Sequence, residues 1–99
     1  MRIVWAPRAL ARIEEAAEYI ARDRPGAAAP WVEGLFARVG LLAEAPAQGR
    51  VVPETGRQDI REVQYKRYRV IYRLETRRVV VLTVRHSRRH FDVEDLQGD

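Results

Sequence analysis

The spacing of hydrophobic residues changes along this chain, and the change predicts its elements. Residues 2–5 form a short apolar run that predicts a strand. Over residues 7–22 apolar side chains recur every three or four positions, which predicts an amphipathic helix that begins at Pro7. The same spacing returns over residues 27–45. A short Pro-Gly turn separates the two stretches, so we expect the helices to pack as an antiparallel hairpin. The stripe of the first helix comprises Leu10, Ile13, Ala17 and Ile20.

The second half of the chain has the composition and spacing of β-strands. Residues 59–65, 68–75 and 79–85 are rich in β-branched and aromatic side chains, and only a few polar residues separate them. Such short connections require antiparallel neighbours. Residues 79–82 are all apolar, which is typical of a central strand covered on both faces. We therefore predict one α+β domain over residues 1–99, of order β-α-α-β-β-β, with the helical hairpin packed on one face of a small, mainly antiparallel sheet.

The composition is that of a small folded domain. The chain has 99 residues, of which 46% are hydrophobic, and it contains no cysteine. A disulfide framework and a thiolate metal site are therefore excluded. No run of about 18 apolar residues is present, so we expect a soluble, cytoplasmic protein with no membrane partner.

The basic charge is concentrated in one block of the sequence. Residues 1–49 carry equal numbers of acidic and basic side chains, and residues 90–99 sum to −4. Residues 50–89 carry twelve basic side chains against four acidic ones, a net charge of +8. Such a block is expected for contact with nucleic acid or an acidic protein. The alternative is a solvated arginine-rich surface, because seventeen of the eighteen cationic residues are arginine, as a GC-rich genome favours.

Alternation along residues 68–75 predicts that this strand has two unlike faces. One face is apolar and suited to packing on the helices. The other carries a row of guanidinium groups, which match phosphate and carboxylate groups with paired donors. The alternative is that these arginines are solvated charges on an exposed strand. The apolar face contains Tyr68, Val70, Tyr72 and Leu74, and the other contains Arg67, Arg69, Ile71 and Arg73.

His86 lies in a basic cluster with Arg85, Arg88 and Arg89. A histidine beside arginines can serve acid–base chemistry on a phosphodiester, with the arginines stabilising the charged transition state. The alternative is a structural histidine that only forms hydrogen bonds. His86 and His90 are four residues apart, but no carboxylate lies between them, so we expect no metal site and no cofactor.

Five stretches resemble the RelE/ParE superfamily of bacterial toxins. They are residues 3–9 (IVWAPRA), 42–50 (LAEAPAQGR), 61–62 (RE), 68–73 (YRVIYR) and 84–89 (VRHSRR). The stretches are spread over nearly the whole chain, in the family's order and spacing. The resemblance implies the fold predicted above and a toxin of a type II toxin–antitoxin pair, held inactive by an antitoxin with an extended segment.

The superfamily contains two activities, and the resemblance implies different roles for the same residues. RelE-like members cut mRNA on the ribosome, and matching positions would make Arg69, His86 and Arg88 catalytic. ParE-like members inhibit DNA gyrase and are not nucleases. This chain has Phe91 where RelE-like members often have a C-terminal tyrosine, and Phe has no hydroxyl for proton transfer. The end of its second helix also resembles ParE, so gyrase inhibition is favoured.

The resemblance implies a cognate antitoxin as partner, in a hetero-oligomer, and either gyrase or the ribosome with its mRNA as target. A ribosome-dependent endoribonuclease is the alternative activity. A nontoxic protein that acts with its antitoxin as a DNA co-repressor is a further alternative. The residues expected to bind the antitoxin or the target are Arg61, Arg67, Arg69, Arg73, Arg85 and Arg89.

Overall fold

Two helices pack on one face of a five-stranded sheet in the computed structural model, which describes residues 1–88 and Leu96. The strands lie in the order β1-β5-β4-β3-β2, with β1 parallel to β5 and every other pair antiparallel. This arrangement confirms the predicted α+β fold and its mainly antiparallel sheet. The elements are β1 (Arg2–Trp5), α1 (Pro7–Asp23), α2 (Ala28–Gly40), β2 (Arg50–Val51), β3 (Ile60–Tyr65), β4 (Tyr68–Leu74) and β5 (Arg78–His86).

The second helix is shorter than its hydrophobic spacing predicts. It ends at Gly40, and a single 3-10 turn over Leu41–Ala43 follows. Pro46 disfavours the helical conformation at the residue before it, so the helix could not have continued through Ala45. The tighter turn keeps Leu42 fully buried.

The first helix is rotated relative to the predicted stripe. Its buried residues are Ala9, Ile13 and Ala16, whereas Leu10 is 46% exposed. The two alanines have no bulk beyond Cβ, so they let α1 approach β5 closely. The prediction that Leu10 belongs to the core is therefore wrong.

Strand β5 is covered on both faces, as its uninterrupted apolar run predicts. Val79 and Val81 pack towards the helices, and Val80 and Leu82 pack in a second core on the opposite face. We call these the helix face and the second face. A bulge then interrupts the pairing with β4, because Tyr72 is opposite Val81 and the residue before it, Ile71, is opposite Thr83. Strand β5 therefore changes faces beyond the bulge.

Tyr72 fastens the chain between α2 and β2 to the sheet. Its side chain is fully buried, and its hydroxyl donates to the carbonyl oxygen of Pro46 at 2.7 Å and accepts from the amide of Gly49 at 3.1 Å. Burial raises the pKa of this phenol. Arg61 reinforces the attachment by donating to the carbonyl oxygen of Gly49 at 3.0 Å. The hydrogen bonds of Tyr72 bring its side chain against the main chain of Gly49, the glycine of the motif that closes the second helix.

Position 49 requires glycine, because the Tyr72 side chain leaves no room for a Cβ atom there. A Cβ atom at this position would lie 2.5 Å from Tyr72 Oη and 2.7 Å from the carbonyl oxygen of Glu62. We expect Gly49→Ala to lower the free energy of unfolding by about 1–3 kcal/mol, the cost of overpacking. Gly40→Ala is the control, because its Cβ would meet nothing within 4 Å. Urea unfolding measures both; equal effects would contradict the packing at Gly49.

The raised pKa of Tyr72 predicts a dependence of stability on alkaline pH. Below the ordinary tyrosine pKa of about 10, Tyr72→Phe should cost about 1–3 kcal/mol, because it leaves buried groups of Pro46 and Gly49 without their partner. Above that pH the unfolded tyrosine ionises while folded Tyr72 stays neutral, so the native protein loses stability relative to the variant. Urea unfolding at pH 8 and pH 10.5 should show the difference between the two proteins narrowing. A constant difference would contradict the shift.

Candidate partner-binding surface

Arg69 lies in a buried cluster with two carboxylates. Its guanidinium donates to Glu62 at 2.6 and 3.0 Å and to Glu54 at 2.8 and 2.9 Å. The side chains of Arg69 and Glu62 are only 9% and 4% exposed. These hydrogen bonds, with Glu54 and then Glu62, raise the pKa of Arg69. The guanidinium is therefore permanently charged, and two carboxylates face it.

Arg50 completes this cluster at its outer side. Its Nε lies 3.4 Å from Glu62 Oε2, and its side chain is 71% exposed. The four residues together carry two positive and two negative charges, so the cluster is neutral. A shallow depression of about 460 Å³ lies over it, with Gln64, Ser87 and Arg88 at its border. The sequence predicts an exposed guanidinium at Arg69, and that prediction is wrong because the hairpin pairs it with Glu62 and the β2–β3 loop brings Glu54 to it.

The structure places Arg61 and Arg73, two further arginines that the sequence predicts to bind a partner, in different environments. Arg61 is half-buried and binds main-chain carbonyl oxygens of Gln58 and Gly49. Arg73 donates to Glu75 at 2.7 Å, and Arg78 donates to the same carboxylate at 2.6 Å. Hydrogen bonds from Arg78 and Arg73 lower the pKa of Glu75. The continuous cationic row that the alternation predicts is therefore largely neutralised within the chain.

A groove of about 650 Å³ runs between α1 and the end of the sheet at which β4 begins and β5 ends. The sheet side presents Tyr68 and the basic residues near it. The α1 side presents Arg12, Glu15, Glu18, Tyr19 and Arg22. The α1 wall thus carries equal numbers of acidic and basic side chains, the sheet wall is basic, and aromatic side chains lie between them. The sequence-predicted residues that line it are Arg67, Arg85, His86 and Arg88.

His86 belongs to this groove and is half-buried. Its ring packs edge-to-face on Tyr68, with 5.3 Å between the centroids. Its Nδ1 accepts a hydrogen bond from the main-chain amide of Arg88 at 3.2 Å. This bond favours the tautomer in which Nε2, the other ring nitrogen, is the donor.

The candidate catalytic residues do not converge on one point. In the pairing of β4 with β5, His86 lies opposite Tyr68 on the helix face, and Arg69 lies opposite Arg85 on the second face. The bulge causes this separation, because simple alternation from Val80 would have placed His86 on the face of Arg69. Arg88 borders both the groove and the depression. Arg89, also predicted to bind, and Phe91 lie outside the described residues.

Sequence reasoning missed Glu54, Glu62, Gln64 and Ser87. Glu62 could have been found, because a two-residue turn between β3 and β4 places it diagonally across from Arg69 on the same face. Glu54 comes from an irregular loop, and alternation carries no information about where a loop side chain lies. Within the described part of the chain, no three metal-ligating side chains of the His, Cys, Asp or Glu type come together. No helix in that part has the length and apolar character needed to cross a membrane.

Comparisons with known proteins agree with the geometry. A family model described as the ParE toxin of the type II toxin–antitoxin system parDE matches residues 3–91. A protein of Sinorhizobium fredii that carries the provisional name toxin Y4kP is 39% identical over 88 residues, which cover 87% of this chain and 88% of that protein. A chain of the chromosomal ParDE toxin–antitoxin system from P. aeruginosa superposes with a TM-score of 0.75 at 17% identity, covering 87% of this chain and 95% of that one. At this identity the superposition shows the fold alone.

The helical hairpin on its mainly antiparallel sheet is the fold of the RelE/ParE superfamily of toxins. Within that superfamily, the chain belongs to the ParE toxins of type II toxin–antitoxin systems.

Because Arg69 and Glu62 are buried as an ion pair, removing Arg69 alone should destabilise the protein more than removing both residues. Arg69→Met should lower the free energy of unfolding by about 3–5 kcal/mol, because it leaves the Glu62 carboxylate buried with its main partner gone. Arg69→Met combined with Glu62→Leu should recover most of this loss, since the buried charge is removed as well. Arg57→Met is the control: its pair with Asp59 is exposed, and we expect a change within about 1 kcal/mol. Urea unfolding of the four proteins measures this, and a double variant no more stable than Arg69→Met would contradict the account.

Proposed function

We propose that this toxin stops growth by inhibiting DNA gyrase through protein–protein contact, and that a cognate antitoxin neutralises it by binding the groove between α1 and the sheet. The ParE family of the chain supports the first part. The groove, with its basic sheet wall and its aromatic side chains, supports the second.

The observation that carries the proposal is the separation of Arg69 from His86. A nuclease that used both residues would need them within reach of one phosphodiester. The two side chains project from opposite faces of the sheet, and the guanidinium of Arg69 donates its hydrogen bonds to Glu54 and Glu62. An inhibitor that acts by contact has no such requirement, because it needs only a complementary surface.

Exposed apolar side chains supply anchors for such contact. Phe36 on α2 is 40% exposed and packs edge-to-face on Trp5, with 4.7 Å between the ring centroids. Leu10 and Leu41 are 46% and 60% exposed. Large apolar and aromatic side chains carry much of the binding energy in protein interfaces. We infer that the helical side of the molecule contributes such anchors.

The groove fits an antitoxin segment that has both charged and apolar residues. Acidic side chains of the segment would meet Arg67 and His86 on the sheet wall, and a basic one would meet Glu15 or Glu18 on α1. Apolar side chains would pack on Tyr68 between the walls. The internal ion pairs of Arg69 and Arg73 leave them less suited to this role than the strand pattern predicts.

Two activity assays with the purified chain test the proposal. In a supercoiling assay we expect loss of gyrase activity, and in a translating ribosome system we expect intact mRNA. Adding the cognate antitoxin should restore supercoiling.

Cleavage of mRNA in the ribosomal A site would contradict gyrase inhibition and favour the endoribonuclease. Absence of both activities, together with harmless expression in cells, would favour the nontoxic co-repressor.

A further inference from the structure

The turn between β3 and β4 carries a lysine in a conformation that lysine disfavours. Tyr65 and Tyr68 close the hairpin, and Lys66 at the first turn position has φ of 51°. Left-handed backbone at a hairpin turn is normally given to Gly, Asn or Asp, because a longer side chain strains it. Lys66 is also the one lysine in a chain with seventeen arginines. An exposed cation held at the cost of backbone strain points to a use for that cation.

A local hydrogen-bond network holds this turn against the end of β5. The Gln64 amide nitrogen donates to the carbonyl oxygen of Lys66 at 2.7 Å and to Ser87 Oγ at 2.6 Å. The Ser87 amide donates to the carbonyl oxygen of Arg67 at 2.7 Å. The main chain next to Arg88 is fixed in turn by its hydrogen bond to His86. The turn is therefore preorganised, so a ligand that binds it would not have to order it.

Three exposed cations project from this rigid end. They are Lys66, Arg67 and Arg88, which we call the basic tip. Within the described residues, no carboxylate forms an ion pair with any of the three. The turn at the other end of β4 differs, because Glu75 there binds both Arg73 and Arg78.

We propose that the basic tip binds the phosphate backbone of duplex DNA. Cationic side chains beside hydrogen-bonding polar groups are the usual partners of backbone phosphates. The β3–β4 turn lies at one end of the sheet beside the end of β5, so its cations can meet backbone phosphates without a strand entering a groove. This binding is separate from gyrase inhibition and does not depend on it.

The tip lacks the features that other partners require. Binding of single strands uses exposed aromatic platforms for base stacking, whereas Tyr65 and Tyr68 are half-buried and pack on Trp31. A protein partner requires apolar anchors, and the turn beside Lys66 offers none. The exposed large apolar side chains of the described residues are Met1, Leu10, Tyr19, Phe36 and Leu41, of which Tyr19 lines the groove that Arg67 borders. A phosphate backbone requires neither.

Fluorescence anisotropy of the full chain with a labelled 20-base-pair duplex tests the proposal. Titrations between 50 and 200 mM salt should give a log–log slope of about −2.7, which corresponds to about three neutralised phosphates. The slope should be the same for two unrelated duplex sequences. Unlabelled single-stranded RNA of equal length and poly-glutamate are the competitors, and both should compete less well than duplex DNA.

Single-charge variants locate the binding. Lys66→Gly removes one charge and relieves the strained backbone, so it should not lower the melting temperature. It and Arg67→Gln should each weaken binding several-fold and reduce the salt slope by about one. Arg77 is exposed in the turn between β4 and β5, at the other end of β4. Arg77→Gln also removes one positive charge, and it should change the affinity for the duplex less than twofold.

Three results would overturn the proposal. The first is no binding at 50 mM salt. The second is equal weakening by Lys66→Gly and Arg77→Gln, which would mean that only net charge matters. The third is stronger competition by single-stranded RNA or poly-glutamate than by duplex DNA.

Discussion

The pairing of Arg69 with Glu62 and Glu54 determines what the sheet can present to a partner. A buried carboxylate is tolerated only when it is paired, so Glu62 on β3 requires Arg69 on β4. Glu54 extends the same interaction to the β2–β3 loop, which is thereby held over the second face. One guanidinium thus joins two strands and a loop. The residue that looks most like an anion-binding group in the sequence is consequently part of the interior.

The bulge in β5 has an equally large effect on the surface. A single extra residue places Val84 and His86 on the helix face, and His86 then packs on Tyr68 in the groove beside α1. The basic side chains of residues 50–88 therefore lie in different surroundings. Some arginines are neutralised in ion pairs, Arg61 binds main-chain carbonyl groups, and the cations of the basic tip remain exposed. Charge that is continuous in sequence is not continuous in space.

The sequence predicts the elements of this fold well, because their signals are local. Hydrophobic spacing identifies both helices and all the long strands, and the apolar run at residues 79–82 identifies the strand covered on both faces. The site is predicted less well, because its geometry depends on register. Alternation separates Arg69 from Tyr68 correctly, but it cannot show that Glu54 reaches Arg69 from a loop. It also cannot locate the bulge, since Leu82 and Thr83 carry no residue signal for one.

Guanidinium-selective NMR of the full chain tests the central claim most directly. The Arg69→Lys and Arg67→Lys variants assign the Nε–H signals of the two arginines. The exchange of these protons with water is then measured before and after addition of duplex DNA. We predict slow exchange at Arg69, because its Nε–H donates to buried Glu62, and no change on adding DNA. Arg67 should exchange fast and shift on binding. Fast exchange at Arg69, with a shift on adding DNA, would contradict the account.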